Sequence, residues 1–466
     1  MKKAFLIIII ICLSLYFSFS EEKTEINGKK VTLDIDTAVS LALANNLGLK
    51  SERLKFESSK WSMFTSWNTF LPNVSMSATL SRSNLNEDER TTTIPTFTQT
   101  SVPPGFTFSE VEETKPLWGL NANFNLNLNI NAAMVFSVYQ TVLDWQTGKI
   151  NLETAKQKLI TDVKKSVYNF ILIQKNIEIT EESIDNAKKR YDKAVINYNN
   201  GLISEYDKLS AQVAYENMKP QLIEMQNNYN KLLLNFKNII GLKRDVEVDF
   251  NAEIEPEIRE FDKDELITKY INNSLDLKSL NLYLNNMRNS RNLAISALTP
   301  SFTLGYTMDP YFQKDPLKDD WFGDKDYMDE NWKQRAGMFY LAMSLPVSSL
   351  IPFSKEHMDI IRSEFAIAEA KNNLEKSRQD IEVNIESILM GLEKSKKSIE
   401  VLKLNIVLAE RAFKKAEEAY TAGSKELLEV QNSELELKKA KLNLLQEEYN
   451  YTVGILDLEY AVNQKL

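Results

Sequence analysis

The sequence predicts an α+β membrane protein that combines two very long helical hairpins with four membrane-type β-strands per chain. Three observations predict this class: a scarcity of helix-breaking residues, segments that alternate apolar and polar residues, and two halves that repeat each other. The 466 residues include only 13 glycines and 12 prolines, and 26% of them are charged. This composition is typical of long helices rather than of several compact domains.

Composition also excludes most catalytic sites. Cys12 is the only cysteine and His357 the only histidine, so a thiolate zinc site or a Cys-His nucleophile cannot form within one chain. The chain has no nucleophile elbow and no glycine-rich phosphate loop. We therefore expect no catalytic, cofactor-binding or metal-binding residues and no enzymatic activity. The net charge of −9 disfavours nucleic acid as a partner.

The N-terminus has the pattern of a signal peptide. Lys2 and Lys3 precede an apolar run over residues 4–17, and the small residues Ser18 and Ser20 precede the expected cleavage site after Ser20. Residues 1–20 are therefore predicted to be removed on export. No later segment resembles a transmembrane helix, so insertion into a membrane would have to use strands.

The first part of the internal repeat aligns residues 33–77 with residues 261–305 at an offset of 228, without a gap. In each copy a helical stretch runs into a proline, Pro72 or Pro300, and alternation begins just after it. Proline cannot continue a helix. This arrangement predicts a change from helix to strand at the same place in both halves.

The second part of the repeat is a pair of heptad seams at an offset of 222. Apolar residues recur every seven positions, which predicts coiled-coil-like helices over about 134–200 and 354–421. At 1.5 Å per residue, each would be on the order of 100 Å long. Gly201 and Gly423 end the two helices, and a return helix follows each; Pro220 is expected to kink the first of these. The seam residues are Val163, Phe170, Ile177, Ile184, Tyr191 and Tyr198, and then Ile385, Leu392, Ile399, Ile406, Phe413 and Tyr420.

The predicted domain organisation follows from these repeats. The first repeat spans residues 33–250, with a loop at 84–116 and a turn near 201. The second spans residues 261–462, with a loop at 309–335 and a turn near 423. The acidic loop 309–335 could bind calcium or could simply be solvated, since its aspartates lack EF-hand spacing.

The clearest strand alternates asparagine with apolar residues over residues 120–131. Asparagine is a poor strand former, so a row of asparagines indicates that this face of the strand contacts water. This could be the lumen of a barrel or the exposed side of a soluble sheet. The predicted lumen-facing residues are Asn121, Asn123, Asn125, Asn127 and Asn129.

Three further strands are predicted near residues 74–81, 302–308 and 337–345. Four strands cannot close a barrel, and an open sheet edge is not tolerated in lipid. The smallest closed outer-membrane barrels have about eight strands. At least two chains would therefore be needed, and three chains would give twelve strands.

Taken in order, these features resemble the TolC-like outer membrane efflux protein family. The resemblance covers residues 33–462. It rests on the duplicated layout, the Leu-Lys-Ser stretches at 49–51 and 277–279, the two Tyr-x-x-Gly turns, and Ser344-Leu345-Pro346. It implies a homotrimer that closes a twelve-stranded β-barrel in the outer membrane and continues as a long α-helical coiled-coil barrel across the periplasm.

The resemblance also implies a function and partners. The expected function is the passive exit duct of a tripartite efflux or type I secretion system. The expected partners are outer-membrane lipid, a periplasmic adaptor (membrane fusion protein) and an inner-membrane pump of the RND or ABC type. The alternative is a soluble periplasmic or surface coiled-coil adaptor or scaffold. Neither the cargo nor the pump type can be deduced from the residues.

Two groups of residues at the hairpin turns take roles from the resemblance. The adaptor-docking tip comprises Gly201, Leu202, Ile203, Ser204, Gly423 and Ser424. The periplasmic entrance, or gate, comprises Tyr206, Tyr420, Lys425, Glu429 and Asn432. Tyr420 could instead only pack in the seam, and Glu429 could only be a carboxylate at a helix N-terminus. Asn432 stands where many family members have aspartate, so a trimeric entrance would carry three carboxylates rather than six.

Overall fold

A computed structural model of the protein describes residues 30–82, 89–98, 105–114, 118–251, 254, 256–312, 337–422 and 424–466. The predicted signal peptide, residues 1–20, lies outside the described residues. So do Gly423 and most of the predicted loop 309–335.

The chain divides into two compact units. The helical unit contains the described residues up to 60 together with 145–283 and 370–466, and the sheet unit contains 61–144 and 284–369. The long helices each contribute residues to both units.

Eight α-helices are found in the described residues, and the four longest form two pairs of equal length. The two longest contain 67 residues each, and the two that follow them contain 36 each. The second long helix begins 222 residues after the first long helix, and the second return helix begins 222 residues after the first return helix. No helix in the described ranges is long and apolar enough to cross a membrane. The helices are α1 Ile35–Asn45, α2 Leu47–Phe64, α3 Ala133–Asn199, α4 Glu205–Ile240, α5 Lys263–Tyr270, α6 Leu275–Ser296, α7 Lys355–Thr421 and α8 Leu427–Val462.

Aspartates matched by the sequence repeat cap two of the shorter helices. The Asp34 carboxylate accepts a hydrogen bond from the backbone N–H of Thr37 at 2.8 Å, and Asp262 accepts from Asp264 and Glu265. These bonds satisfy amides that lack partners in the first helical turn. The hydrogen bonds from Thr37 also lower the pKa of the Asp34 carboxyl.

The helical unit has two main cores, both built on the heptad seams. In the first, Val163 and Phe170 are buried against α4, and Phe170 stacks on Phe250 with ring centroids 4.8 Å apart. In the second, Ile385, Leu392 and Ile399 of α7 are buried against α8. The seam positions therefore pack inside each hairpin.

A short parallel pair of strands, β1 (Lys30–Leu33) and β6 (Glu247–Phe250), adds Leu33 and Phe250 to the first core. The sequence analysis missed this pair because each strand has only four residues and the partner is distant in the chain. Pro220 lies inside α4, which continues through it to Ile240.

The sheet unit contains all four predicted strands. They are β2 (Asn73–Arg82), β5 (Trp118–Ile130), β7 (Ser301–Met308) and β9 (Met338–Ser344). Neighbouring strands pair antiparallel in the order β2-β5-β7-β9, and a two-residue strand β8 (Tyr311–Phe312) also pairs with β5.

The described residues also contain strands beyond the four predicted for the main sheet. The segment 84–116, predicted as a loop, contains strands β3 (Glu89–Thr98) and β4 (Gly105–Thr114), which pair with each other. The physical reason is the threonine content of residues 89–98. β-Branched residues favour extended backbone, whereas the sequence analysis gave more weight to the polarity and prolines of the segment.

Candidate functional site

The first hairpin turn is fixed by backbone geometry and by one capping box. Gly201 has φ +74°, and the amides of Gly201 and Leu202 donate to the carbonyls of Tyr198 and Asn197 at 2.9 Å. This is the Schellman pattern that ends a helix. The Ser204 hydroxyl then accepts from the Asp207 amide at 3.2 Å, and the Asp207 carboxylate accepts from the Ser204 amide at 3.1 Å.

The predicted tip residues of this turn are mostly exposed. Gly201, Leu202 and Ser204 lie on the surface, and 71% of Leu202 is exposed. Ile203 is half-buried against a small cluster formed by Ala194, Ala211 and Leu427. The turn therefore presents one apolar side chain, Leu202, on a rigid backbone.

The second hairpin turn is held by bonds from Ser424. Its amide and its hydroxyl both donate to the Ala419 carbonyl at 3.0 Å, while Gly423 lies outside the described residues. The return helix α8 begins after Glu426, whose side chain makes no capping bond. The two turns therefore differ in how their return helices start.

Two of the predicted gate residues form an ion pair at the start of α8. Lys425 binds the Glu429 carboxylate, four residues further along, and both side chains are about half exposed. Asn432 is exposed one turn later. The pairing matters because the charge of Glu429 is compensated within its own chain.

Tyr420 and Tyr206 have different surroundings. Tyr206 is exposed, whereas Tyr420 is half-buried against Ala194, Ala211 and Leu427. Burial raises the pKa of the Tyr420 phenol; the negative charge of Asp207 raises it further and Arg190 opposes both effects. The negative charge that raises the pKa of Tyr420 thus comes from Asp207, which follows Tyr206 on the first return helix.

Sequence reasoning missed a buried ion pair near the turns. Arg190 of α3 binds the Glu434 carboxylate of α8, and only 11% and 9% of their side chains are exposed. Burial raises the pKa of Glu434, and the Arg190 guanidinium opposes that rise. The repeat gave no signal for this pair, because the equivalent positions at offset 222 are Ala412 and Gln212.

The predicted polar strand face is present in the sheet. Residues directly opposite each other in a sheet share a face. Asn121, Asn123, Asn125 and Asn127 lie opposite Thr79, Ser77, Ser75 and Asn73 of β2, and Asn125, Asn127 and Asn129 lie opposite Thr307, Gly305 and Thr303 of β7.

Side-chain hydrogen bonds connect this polar face across the strands. The Thr307 hydroxyl donates to Asn125 Oδ1 and the Tyr340 hydroxyl donates to Asn127 Oδ1, both at 2.8 Å. Tyr340 reaches Asn127 by lying over Gly305, where a Cβ atom would come within 2.2 Å of the ring. Glycine at this position therefore makes room for the bond between β9 and β5.

The opposite face of the same sheet is apolar and exposed. It is formed by the alternate residues of all four strands, and the two outer strands, β2 and β9, each pair on one side only among the described residues. A single chain thus carries a sheet with one polar face, one apolar face and two unpaired edges. Exposed members of the apolar face are Val74, Met76, Leu80, Ile130, Phe302, Leu304, Phe339, Leu341 and Met343.

A family model described as "Outer membrane efflux protein" matches two segments, residues 38–242 and 266–464. Together they cover most of the chain. The chain belongs to the outer membrane efflux protein family. The two matched segments agree with the TolC-like resemblance drawn from the duplicated helices and turns, and efflux across the outer membrane is the role of this family.

Solved structures of outer-membrane channels share the fold of this efflux protein. The Campylobacter jejuni CmeC outer membrane channel is 16% identical, with a TM-score of 0.71 over 96% of this chain and 91% of that one. The Neisseria gonorrhoeae MtrE outer membrane channel, in its open state, is 14% identical, with a TM-score of 0.69 over 96% and 95%. The outer membrane protein VceC of Vibrio cholerae is 14% identical, with a TM-score of 0.68 over 92% and 96%. The sequence has no significant match among curated proteins.

Proposed function

We propose that this efflux protein is a homotrimeric exit duct, a passive conduit from the periplasm to the outside of the cell. Three chains would close one β-barrel in the outer membrane and one α-helical tunnel in the periplasm. The internal two-fold repeat would give each chain two helical hairpins for that tunnel.

The sheet with two opposite faces and two open edges is the observation that carries the proposal. Unpaired backbone groups cannot remain in hydrocarbon, so a sheet in lipid has to close. An exposed apolar face on every strand fits lipid, and the asparagine face fits a water-filled lumen. Pairing of β9 in one copy with β2 in the next would remove both edges.

Exposed apolar stripes on the helices support the association of copies. On α4, Tyr206, Leu209 and Val213 follow helical spacing, and on α7, Val401, Leu404 and Leu408 do so. The α3 and α8 helices already contact each other within the chain through ion pairs, including Lys165 with Asp457. The stripes on α4 and α7 are exposed in the single chain and could meet neighbouring copies.

The turns and the lack of an energy source support the partners that we propose. Leu202 is exposed on a rigid turn, which suits contact with the helical hairpins of a periplasmic adaptor. A duct needs energy from elsewhere, so an inner-membrane pump of the RND or ABC type, in a tripartite efflux or type I secretion system, would drive transport. We assign Tyr206, Tyr420, Lys425, Glu429 and Asn432 to the periplasmic entrance.

The test is the native mass of the detergent-extracted protein. We expect a complex of three chains that remains associated without cross-linking. A stable monomer would contradict closure of the barrel by several chains. Because the alternative of a soluble coiled-coil adaptor or scaffold leaves the strands outside the membrane, release of the protein by carbonate would favour that alternative.

A further inference from the structure

Charged residues are absent from four long stretches of the sequence. In a chain with 26% charged residues, none occurs in residues 61–81, 116–143, 292–308 or 336–354. Each stretch contains one strand of the main sheet, β2, β5, β7 or β9, apart from Arg82 at the end of β2. Each also extends well past one end of its strand.

The topology brings these extensions to the same end of the sheet. Asn73, at the start of β2, lies opposite Asn127, close to the end of β5. Ser301, at the start of β7, lies opposite Ser344, at the end of β9. At this end, the segments that enter or leave the strands are 61–72, 131–143, 292–300 and 345–354, and we call them the uncharged collar.

The other end of the sheet behaves differently. Charges appear there as soon as the strands stop: Arg82 is the last residue of β2, and Asp309 directly follows β7. At the collar end, charges return only at Lys60, Asp144, Arg291 and Lys355. The uncharged zone is therefore displaced toward the helices by about ten residues per segment.

More than half of the large apolar and aromatic side chains of the collar are exposed, while Met134 and Leu143 are buried. Tryptophan and phenylalanine are prominent, and both favour the boundary between lipid headgroups and acyl chains. The exposed collar residues are Trp61, Phe64, Trp67, Phe70, Leu71, Val135, Tyr139, Ile295, Leu345, Val347, Leu350, Ile351 and Phe353.

Phe353 is the most exposed of them, at 84%, and its backbone is strained. Its φ is +64°, in the left-handed region that a bulky residue rarely adopts. Strain of this kind persists where the surrounding structure or a function holds it. The exposed phenyl ring lies two residues before Lys355, where α7 and its charges begin.

Contact with lipid requires internal hydrogen bonding of the backbone, and the helical parts of the collar meet this requirement. Residues 66–70 and 347–350 form 3₁₀ turns, and 133–143 lie in α3. The amides of Leu71, Leu298 and Ile351 donate to carbonyls three residues earlier. Helical segments can therefore lie in the interface without exposing unpaired amides.

We propose that the uncharged collar is a membrane-interface anchor that sits in the periplasmic leaflet of the outer membrane, at its headgroup–acyl boundary. The surface of the protein that contacts lipid then extends beyond the sheet onto the ends of the helices. The collar sets the depth at which the protein inserts. This inference rests on the proposed function, since it assigns the sheet above the collar to the membrane. The apolar surface of the collar continues the apolar face of the sheet.

The test places one spin label at a time on the full chain in vesicles of phosphatidylethanolamine and phosphatidylglycerol. Cys12 lies in the predicted signal peptide, so an introduced cysteine is the only labelling site expected in the exported protein. The collar variants are Phe353→Cys and Trp67→Cys. Leu341→Cys reports on the apolar face of the sheet, and Glu369→Cys, at an exposed position on α7, is the control in water. Collision rates with oxygen and with a nickel chelate are compared.

We expect the ratio of oxygen to nickel accessibility at Phe353 and Trp67 to be several-fold higher than at Glu369. Nickel accessibility equal to that at Glu369 would place the collar in water and overturn the proposal. Low accessibility to both reagents would show a second copy covering it, with the same consequence. A water-like result at Leu341 would instead contradict the proposed function itself. If Phe353→Cys does not assemble, Ile351→Cys reports on the same segment.

Discussion

Lys425, two residues before α8, and Glu429, in the first turn of α8, bind each other. A ring of three Glu429 carboxylates would attract cations into the entrance. If Lys425 pairs with each of them, as it does in the single chain, the proposed ring would carry three paired charges and little net charge. The lysine, which the sequence analysis placed at the entrance without a specific role, would then reduce the attraction of the Glu429 carboxylates for cations.

The first prediction separates the two charges by ion selectivity. In planar bilayers under a salt gradient, Lys425→Gln is expected to shift the reversal potential toward cation selectivity, because Glu429 loses its partner. Glu429→Gln is expected to shift it toward anions, and the double variant should return close to the unsubstituted protein.

Lys439→Gln is the matched control for the entrance variants. Lys439 lies on α8, the helix that contains Glu429, and binds Glu436 at 2.8 Å, away from the turn. Reversal potentials that are the same for all of these variants would remove Lys425 and Glu429 from the entrance and leave Glu429 as a carboxylate in the first turn of α8.

At the scale of the element, the β-sheet gives adjacent residues opposite environments. Leu341 lies opposite Leu304, which lies opposite Leu128 on the apolar face. Ala342 lies opposite Thr303, which lies opposite Asn129 on the polar face. The two neighbours in β9 are both exposed in the single chain, so only their faces distinguish them.

The second prediction uses this pair. Leu341→Arg should destabilise the membrane-inserted protein by about 2–4 kcal/mol, the cost of arginine facing lipid near the middle of the membrane. Ala342→Arg should cost much less, because its face would be in water. Urea unfolding in vesicles measures both. Equal losses in the two variants would show that neither face of the sheet contacts lipid.

At the scale of the whole molecule, ion pairs between α3 and α8 join the two repeats. Arg190 and Glu434 are nearly buried, while Lys441 and Glu182, 3.6 Å apart on the same two helices, are more exposed. Removing one partner from a buried pair leaves an uncompensated charge. An exposed pair contributes little, since water screens it.

The third prediction follows from this difference. Arg190→Met or Glu434→Leu alone should lower the free energy of unfolding by about 3–5 kcal/mol, whereas the double variant should recover most of that loss. Lys441→Met, the control, should cost less than about 1 kcal/mol. Denaturant unfolding provides the values. Additive losses in the double variant would show that the two side chains act independently.

Much of the architecture could be predicted because it depends on periodic patterns. The heptad seams placed both long helices to within one residue of their observed ends, and the asparagine row identified the polar face of β5. The β1–β6 pair could not be predicted, since it joins two four-residue segments far apart in sequence. The hairpin β3–β4 was missed because its threonines were interpreted as loop residues.

The sequence alone determined the helices, their turns, the four main strands and the resemblance to efflux proteins. These are properties of local spacing, because burial repeats every 3.5 or 2 residues along the chain. Tertiary structure decided which charges meet. Only folding brings Arg190 to Glu434, gathers four uncharged segments at one end of the sheet, and leaves Phe353 outside. Contacts between distant residues follow from packing, and no single segment of the chain encodes them.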